Sequence, residues 1–179
     1  GPAALHAVRT GEKVAVAPHT RALQDQLMDK ELPRLHEALG GGFAYAVLKG
    51  QSNYLCRRRA LEVTRPRPGR AFSERLARAY LRAFLRRSAD GDLDRVSYWF
   101  REHHPELTAL IDASRSEPGA TLGERCPHYA LCFYHSAVAQ AQQADVLVVN
   151  QSLALSWPAR YPKISHLVLD EAHELEDAA

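Results

Sequence analysis

The run Ser165-His166-Leu167-Val168-Leu169-Asp170 joins a short apolar stretch to an acidic residue, and Glu171-Ala172-His173 follows it directly. A short apolar run between polar residues is typical of a strand that is buried on both faces of a sheet. Further runs of this kind extend from Lys13 to Ala17, from Phe43 to Leu48 and from Asp145 to Asn150. The sequence therefore predicts a sheet of short buried strands, one of which ends in a pair of carboxylates.

A long helix is predicted between the first two of these strands. Leucines recur at roughly helical spacing from Thr20 to Leu39, and Gly40-Gly41-Gly42 ends the pattern. Pro33 is expected to bend this helix, because its ring does not fit a regular helical turn. Since a strand, a helix and a second strand in this order are typical of a parallel βαβ unit, we expect an α/β fold with a parallel sheet.

The middle of the chain has a different pattern. Thr64 to Arg70 form a link that is broken by prolines, and apolar residues at helical spacing follow it around Leu81, Trp99 and Leu110. The strand pattern returns only at Asp145. The sequence therefore predicts a mainly helical module that is inserted into the sheet domain.

The carboxylates after the last strand indicate nucleotide chemistry. Ligands of parallel sheets gather at the carboxyl ends of the strands, where Asp170 is predicted to lie. Asp170 is suited to hold a magnesium ion through water, Glu171 to activate the water that attacks a γ-phosphate, and His173 to sense the phosphate state. In the alternative interpretation, Asp170 caps a helix and Glu171 lies in its first turn.

Composition excludes several classes of protein. The chain has 179 residues, of which 46% are hydrophobic and 25% charged, so it can bury the core of one domain with a small insertion. No stretch is long and apolar enough to cross a bilayer, and the first residues do not resemble a secretion signal. Because three cysteines do not resemble a disulfide framework, we expect a reducing, cytoplasmic setting and no membrane partner.

The net charge of +2 conceals a strongly basic segment. Between Arg57 and Arg87 the chain carries eleven arginines and no lysine, against Glu62 and Glu74. Such a concentration of cations is typical of a surface that binds a polyanion, since each neutralised phosphate releases counterions. The alternative is a solvated, arginine-rich helix face.

Several motifs resemble those of one helicase family. Leu167-Val-Leu-Asp-Glu-Ala-His173 is similar to motif II, the DEAH box, of superfamily 2 helicases. Pro18-His-Thr-Arg-Ala-Leu-Gln-Asp-Gln-Leu27 resembles motif Ia of the DinG branch of the XPD-like helicases, and Leu48-Lys-Gly-Gln-Ser-Asn-Tyr-Leu-Cys56 resembles the beginning of their iron–sulfur insertion. Cys126-Pro-His-Tyr-Ala-Leu-Cys132 and Ala144-Asp-Val-Leu-Val-Val-Asn150 complete the series in the family's order.

The resemblance implies both a fold and an activity. It implies a partial RecA-like parallel sheet with an inserted, mainly helical iron–sulfur-type domain. Residues 1–50 and 137–179 would be the two parts of motor domain 1, and residues 51–136 the insertion. The parent enzyme would be a DNA-repair helicase that moves 5′ to 3′ along single-stranded DNA, with ATP and Mg²⁺ bound near Asp170 and Glu171.

The cysteines depart from the family's pattern. Relatives carry one cysteine at the position of Cys56 and a later group spaced Cys-x4-Cys-x5-Cys, whose last two positions are Cys126 and Cys132. Thr121 occupies the remaining position. A 4Fe-4S cluster takes four thiolate ligands, so three interpretations stay open: a cluster with a substitute donor (Thr121, His128, His135 or water), no cluster, or a zinc ion held by cysteines and a histidine.

The resemblance also indicates which residues contact DNA. Motif Ia in such motors contacts phosphates from the turn between a strand and its helix, which here contains Thr20 and Arg21. In the insertion, Arg57, Arg58 and Arg59 beside Tyr54 combine cations with an aromatic ring, as single-strand binding surfaces do.

The phosphate-binding sequence Gly-x-x-x-x-Gly-Lys-Ser/Thr is missing from these 179 residues. We therefore expect the chain by itself to be inactive towards ATP, and its incomplete sheet to favour non-native self-association. Two other classes of function stay open at this stage. One is a nucleic-acid-binding module without a motor, and the other is a metal-binding or redox-sensing module.

Overall fold

The computed structural model describes residues 1–68 and 71–173. The chain divides into two compact units. Unit 1 contains residues 1–49 and 137–179, and unit 2 contains residues 50–136. The second boundary falls within helix α8 (Phe133–Gln143).

Unit 1 contains the predicted sheet. Its strands are β1 (Val14–Ala17), β2 (Tyr45–Leu48), β3 (Val146–Val149) and β4 (His166–Leu169). They lie in the order β2-β3-β1-β4, and all neighbouring strands are parallel. The predicted α/β class with a partial RecA-like sheet is therefore confirmed. However, β1 and β2 are not adjacent, because β3 returns from the far end of the chain and lies between them.

Burial explains the composition of the strands. Each residue of β3 is buried, as expected of a central strand that is covered on both faces. β4 lies at the edge of the sheet, and its Leu167 and Val168 are 39% and 46% exposed. The predicted self-association depends on this open edge, and it remains a prediction.

The helix before β1 was not expected from the sequence. α1 (Pro2–Thr10) has a proline in its first turn and ends at Gly11, which adopts the left-handed conformation with φ 70°. Its buried Ala4 and Ala7 contribute to the core of the sheet. Alanines leave a weak apolar pattern, and this explains why periodicity alone did not indicate the helix.

The predicted long helix between β1 and β2 consists of three segments. α2 (Arg21–Gln26) continues into one wide π-helical turn (Leu27–Glu31) and then into α3 (Leu32–Ala38). Pro33 lies in the first turn of α3. Because proline has no N–H and its ring clashes with the carbonyl four residues earlier, the irregular turn lies before Pro33.

The rest of unit 1 connects β3 to β4. α9 (Gln151–Leu155) begins directly after β3. Lys13 donates from Nζ to the carbonyl oxygens of Ala141 and Gln142 at 3.0 and 3.3 Å, so it caps the carboxyl end of α8.

Helices are the main elements of unit 2 in its described residues. It contains α4 (Arg57–Val63), α5 (Phe72–Arg87), α6 (Tyr98–His103) and α7 (Pro105–Ser114). Fully buried residues such as Leu81, Leu107 and Ile111 form its core. Isolated antiparallel bridges join Tyr54 to Asp92 and Leu55 to Arg115.

Within the described residues, every helix is too short or too polar to cross a membrane.

Candidate functional site

The carboxyl ends of β1, β3 and β4 form one edge of the sheet of unit 1. Asp170 follows β4, Asn150 follows β3, and Thr20 lies three residues beyond the end of β1. The Asp170 N–H donates to the carbonyl oxygen of Ala17 at 3.1 Å, so the pairing of β4 with β1 continues to the acidic residue. Residues that are far apart in the sequence therefore meet at this edge, which we call the carboxyl edge.

The acidic pair is accessible at the carboxyl edge. Asp170 is half-buried, whereas the side chain of Glu171 is 54% exposed. Nδ1 of His173 lies 3.5 Å from Oε2 of Glu171. Both carboxylates can therefore be reached by a bound ligand, and the imidazole is placed to respond to the state of Glu171.

Glu171 has an unusual backbone conformation. Its φ is 50°, in the left-handed region that residues other than glycine rarely adopt. Such conformations cluster at functional sites, where the surrounding structure holds the strain. In Glu171 this conformation turns the chain sharply after β4.

Gln151 contacts the acidic segment and was not predicted as a site residue. Its buried side chain donates from Nε2 to the backbone carbonyl oxygen of Asp170 at 2.7 Å. Gln151 is the first residue of α9, and Asn150 caps this helix, because its Oδ1 accepts from the Leu153 N–H at 2.8 Å. The resemblance to the helicase family implies a histidine at this position, so sequence reasoning gave no role to Gln151. The glutamine holds the acidic turn from the side of β3.

The predicted motif Ia residues also lie at the carboxyl edge. Thr20 caps α2 by accepting the Leu23 N–H at 3.3 Å, and Arg21 begins the helix with an exposed side chain. Gln24, one turn later, is buried, and among the described residues its Nε2 has no hydrogen-bond partner. Thr20 and Arg21 are therefore accessible, but Gln24 is part of the interior.

The three cysteines converge in unit 2. The pKa of the Cys132 thiol is raised, mainly by burial and also by the nearby thiols of Cys56 and Cys126. Arg57, next to Cys56, donates from Nε to the Leu131 carbonyl oxygen at 3.1 Å, and its guanidinium lies 4.5 Å from the ring centre of Phe133. The segments that carry Cys56 and Cys132 are therefore held against each other.

The spacing of the cysteines is wider than that of a site for one ion. In the described residues, the Sγ atoms of Cys56, Cys126 and Cys132 do not all lie within 4.8 Å of one another. Zinc bound at about 2.3 Å would bring its sulfur ligands closer than this. In a cubane, each cysteine binds a different iron atom, so wider spacing is expected. The three thiols therefore do not surround a single point in the described residues.

Two of the predicted substitute donors differ in their hydrogen bonds. Oγ1 of Thr121 donates to the Glu117 carbonyl oxygen at 2.7 Å and accepts from Nε2 of Gln51 at 2.6 Å. Nε2 of His135 is buried and has no hydrogen-bond partner among the described residues. Burial also lowers the pKa of His135, which favours the neutral imidazole that binds metals. His135 is therefore better suited than Thr121 to donate to a metal.

The arginines predicted to bind DNA form hydrogen bonds and an ion pair within unit 2. Arg58 donates to the Ala120 carbonyl oxygen at 3.2 Å, and Arg59 pairs with Glu117 at 2.8 Å. Arg57 is held by Leu131, as described above. These contacts tie α4 to the loops that follow α7, so Arg57, Arg58 and Arg59 have a structural role.

Tyr54, which was predicted to contact DNA, is buried in unit 2, and its contact with DNA remains a prediction. Tyr54 is 3% exposed, and its ring packs against that of Tyr134 with the ring centres 5.9 Å apart. A base therefore has no access to this ring in the structure. An aromatic residue beside arginines has the same local sequence whether it is exposed or buried, so the sequence could not indicate this burial.

A different part of the basic segment lines an open pocket in unit 2. The pocket has a volume of about 300 Å³ and lies between α5 and the link before it. Its lining includes four arginines: Arg67, Arg75, Arg78 and Arg82. Arg78 is paired with Glu74 at 2.7 Å, and Arg75 lies 5.9 Å from the ring centre of Phe72, which is 71% exposed. The pocket is therefore rich in positive charge, and an accessible aromatic ring lies beside one of its arginines.

A parallel sheet with accessible carboxylates at its carboxyl edge is an arrangement typical of nucleotide-binding α/β domains. No protein-family model matches the chain. The chain is 32% identical to the ATP-dependent DNA helicase YoaA of Escherichia coli, over 97% of this chain and 28% of that protein. It is 31% identical to the ATP-dependent helicase DinG of Mycobacterium tuberculosis, over 98% of this chain and 29% of that protein.

A further relative has a different activity in its name. The chain is 28% identical to the 3'-5' exonuclease DinG of Bacillus subtilis, over 99% of this chain and 19% of that protein. The chain thus spans less than a third of the length of each of these relatives. Over nearly its whole length the chain is therefore similar to one part of proteins named DinG or YoaA, as its motifs predicted.

The strain at Glu171 can be measured by comparing two substitutions. Glu171→Gly and Glu171→Ala both remove the carboxylate, but only glycine adopts a positive φ without strain. We expect the glycine variant to be more stable by about 1 kcal/mol in urea unfolding of unit 1. The matched control is Glu37 in α3, where glycine should be less stable than alanine by about the same amount. Equal stability of the two Glu171 variants would contradict the inference.

Proposed function

We propose that the chain forms part of an ATP-dependent DNA helicase that moves 5′ to 3′ along single-stranded DNA. In this proposal residues 1–50 and 137–179 belong to motor domain 1, and residues 51–136 form the inserted iron–sulfur-type domain. The observation that carries the proposal is the meeting of Asp170, Glu171 and Thr20 at one edge of a parallel sheet. The similarity to helicases over nearly the whole chain supports it.

The carboxyl edge suggests a role for each of its residues. Asp170 would hold Mg²⁺ through water, and Glu171 would orient and activate the water that attacks the γ-phosphate. His173 is 3.5 Å from Glu171, so it is placed to couple the state of the phosphate to a contact with DNA. Gln151 acts as a positioning residue, because it fixes the carbonyl of Asp170 and hence the turn that carries Glu171.

Hydrolysis of ATP needs a part that these 179 residues do not supply. The sequence contains no Gly-x-x-x-x-Gly-Lys-Ser/Thr loop, so the β- and γ-phosphates would be held by residues outside it. The chain alone is therefore expected to be inactive, and activity has to be measured in a longer protein that contains it.

The helicase proposal is tested by Glu171→Gln in that longer protein. Because the amide cannot act as a general base, we expect ATP hydrolysis and unwinding of a 5′-tailed duplex to fall by about 10² to 10⁴-fold. Binding of single-stranded DNA should be unchanged, and the matched control Glu37→Gln, at an exposed position of α3, should behave as wild type. ATP-independent strand binding without any hydrolysis by the wild type would instead favour a nucleic-acid-binding module without a motor.

We also propose that DNA contacts unit 2 at the arginine-lined pocket. Arg67, Arg75 and Arg82 line it, and the exposed ring of Phe72 lies beside Arg75. Cations that neutralise phosphates next to a ring that stacks on bases are the usual elements of single-strand binding. The ring of Phe72 is accessible, whereas that of Tyr54 is buried, so the pocket is the first location to test.

A double substitution tests the pocket as a DNA-binding surface. We expect Arg67→Ala with Arg82→Ala to weaken binding of a single-stranded oligonucleotide about tenfold and to reduce the slope of log Kd against log salt by roughly 1.4 for two lost phosphate contacts. The control combines Arg9→Ala and Arg34→Ala, which remove the same charge from exposed positions of unit 1. An equal loss in both double variants would show a nonspecific effect of net charge.

For the cysteines we propose a 4Fe-4S cluster held by Cys56, Cys126 and Cys132. The position of Cys56 and Cys126 close enough to Cys132 to raise the pKa of its thiol supports this proposal. We assign the fourth donor to His135, because its Nε2 is buried without a partner while the hydroxyl of Thr121 is already hydrogen-bonded. Bound there, the cluster would cross-link the loop of Cys126 to the beginnings of α4 and α8.

Anaerobic reconstitution with iron and sulfide tests the cluster. We expect iron binding and sulfur-to-iron charge-transfer absorption in the wild type, loss of both in Cys132→Ser, and weaker retention of iron in His135→Ala. Thr121→Cys restores the family's pattern and should retain iron longer in air. Ser52→Cys adds a thiol at an exposed position of the same unit and should change nothing. Zinc without iron in both the wild type and Thr121→Cys would exclude the cluster.

A further inference from the structure

Three side chains that can bind a metal meet at the amino edge of the sheet, the edge opposite to Asp170. His6 lies on α1, Glu12 lies just before β1, and His166 is the first residue of β4. Their ligand atoms all lie within 4.8 Å of one another. None of the helicase motifs and none of the cysteines belongs to this group.

Both histidines point at the same carboxylate oxygen. Nε2 of His6 lies 3.1 Å from Oε2 of Glu12, and Nε2 of His166 lies 2.8 Å from it. The two imidazole rings meet edge to face, with their centres 4.5 Å apart. The donor atoms therefore surround one small volume, although the side chains come from three separate segments.

The backbone holds these three segments in place. Thr10 donates from Oγ1 to the His6 carbonyl oxygen at 2.9 Å and accepts the Glu12 N–H at 3.2 Å. Gly11, between them, makes the left-handed turn that brings Glu12 back towards α1. Because β1 and β4 are paired, the His166 N–H also donates to the Lys13 carbonyl oxygen at 3.3 Å. The backbone that carries His6, Glu12 and His166 is therefore held in place before any ligand binds.

The group is open to solvent. The side chains of His6, Glu12 and His166 are 42%, 47% and 48% exposed. A metal ion can therefore reach the donors, and water can complete its coordination.

We propose that His6, Glu12 and His166 bind a zinc ion, with water as the fourth ligand. Two imidazole nitrogens and one carboxylate oxygen with an open position form a donor set that suits zinc and not magnesium or calcium. Zinc–ligand distances of about 2.0 to 2.1 Å place tetrahedral donors roughly 3.3 Å apart. The contacts of 3.1 and 2.8 Å to Glu12 need to widen by only a few tenths of an ångström.

The bound ion would connect three elements of unit 1. It would join α1 and the beginning of β1 to β4, which is the edge strand and pairs only with β1 among the described residues. A ligand that binds only the folded state raises its stability. Zinc at this site therefore stabilises the attachment of β4.

Zinc titration of the chelator-treated chain tests this site in a Cys132→Ser background, which weakens any competing site at the cysteines. We expect one equivalent of zinc to bind and to raise the unfolding temperature. His166→Ala should weaken binding by at least about 100-fold, since even indirect partners of a metal site are worth 10 to 100-fold. His103→Ala, an exposed histidine of unit 2, is the matched control and should bind zinc as the background does.

Cobalt substitution identifies the donors directly. Co²⁺ should give visible ligand-field absorption without sulfur charge-transfer bands, and this absorption should disappear in His6→Ala and in His166→Ala. Circular dichroism of each variant checks that it is folded, which is expected because the substituted side chains are half exposed. No saturable binding at equimolar zinc, or equal binding by His166→Ala and His103→Ala, would show that the three side chains form only a metal-free hydrogen-bonded group.

Discussion

The common register of the four parallel strands determines where each candidate site of unit 1 lies. Val14 pairs with both Val146 and His166, and Val146 pairs in turn with Tyr45, so the strands begin level with one another. Since each strand has four residues, they also end level. β3 holds this alignment, because it is buried along its whole length and pairs with β2 on one side and with β1 on the other. The carboxyl edge and the amino edge are both consequences of this alignment.

The sequence predicted what depends on local pattern. The apolar runs predicted four short strands, and the change of hydrophobic period predicted the helical module. The order of the motifs predicted the similarity to helicases. Each of these predictions used residues that are close together in the sequence. The position of β3 between β2 and β1 depends on pairing across about a hundred residues, which no local pattern encodes. Arg58 and Arg59 bind backbone and side-chain oxygens of residues that follow α7 in the sequence. The structural role of these arginines therefore could not be predicted from local pattern either.

Burial separates residues that look alike in the sequence. Tyr54 and Phe72 are both aromatic residues near arginines, yet Tyr54 is 3% exposed and Phe72 is 71% exposed. Tyr54 lies in a bridge to Asp92 and packs on Tyr134, whereas Phe72 begins α5 and has solvent on its outer side. Similarly, the hydroxyl of Thr121 is occupied while Nε2 of His135 is buried without a partner. Only the three-dimensional contacts decide which member of each pair is available to a ligand.

β4 connects the two edges of the sheet. Four residue steps separate His166 from Asp170, a distance of about 13 Å at roughly 3.3 Å per step. As the edge strand, β4 is held by β1 on one side only, so contacts at its two ends contribute much to its position. At the amino edge His166 meets Glu12, and at the carboxyl edge Asp170 accepts from Gln151. Because an extended strand is stiff along its length, whatever fixes His166 also limits the movement of the acidic turn at Glu171.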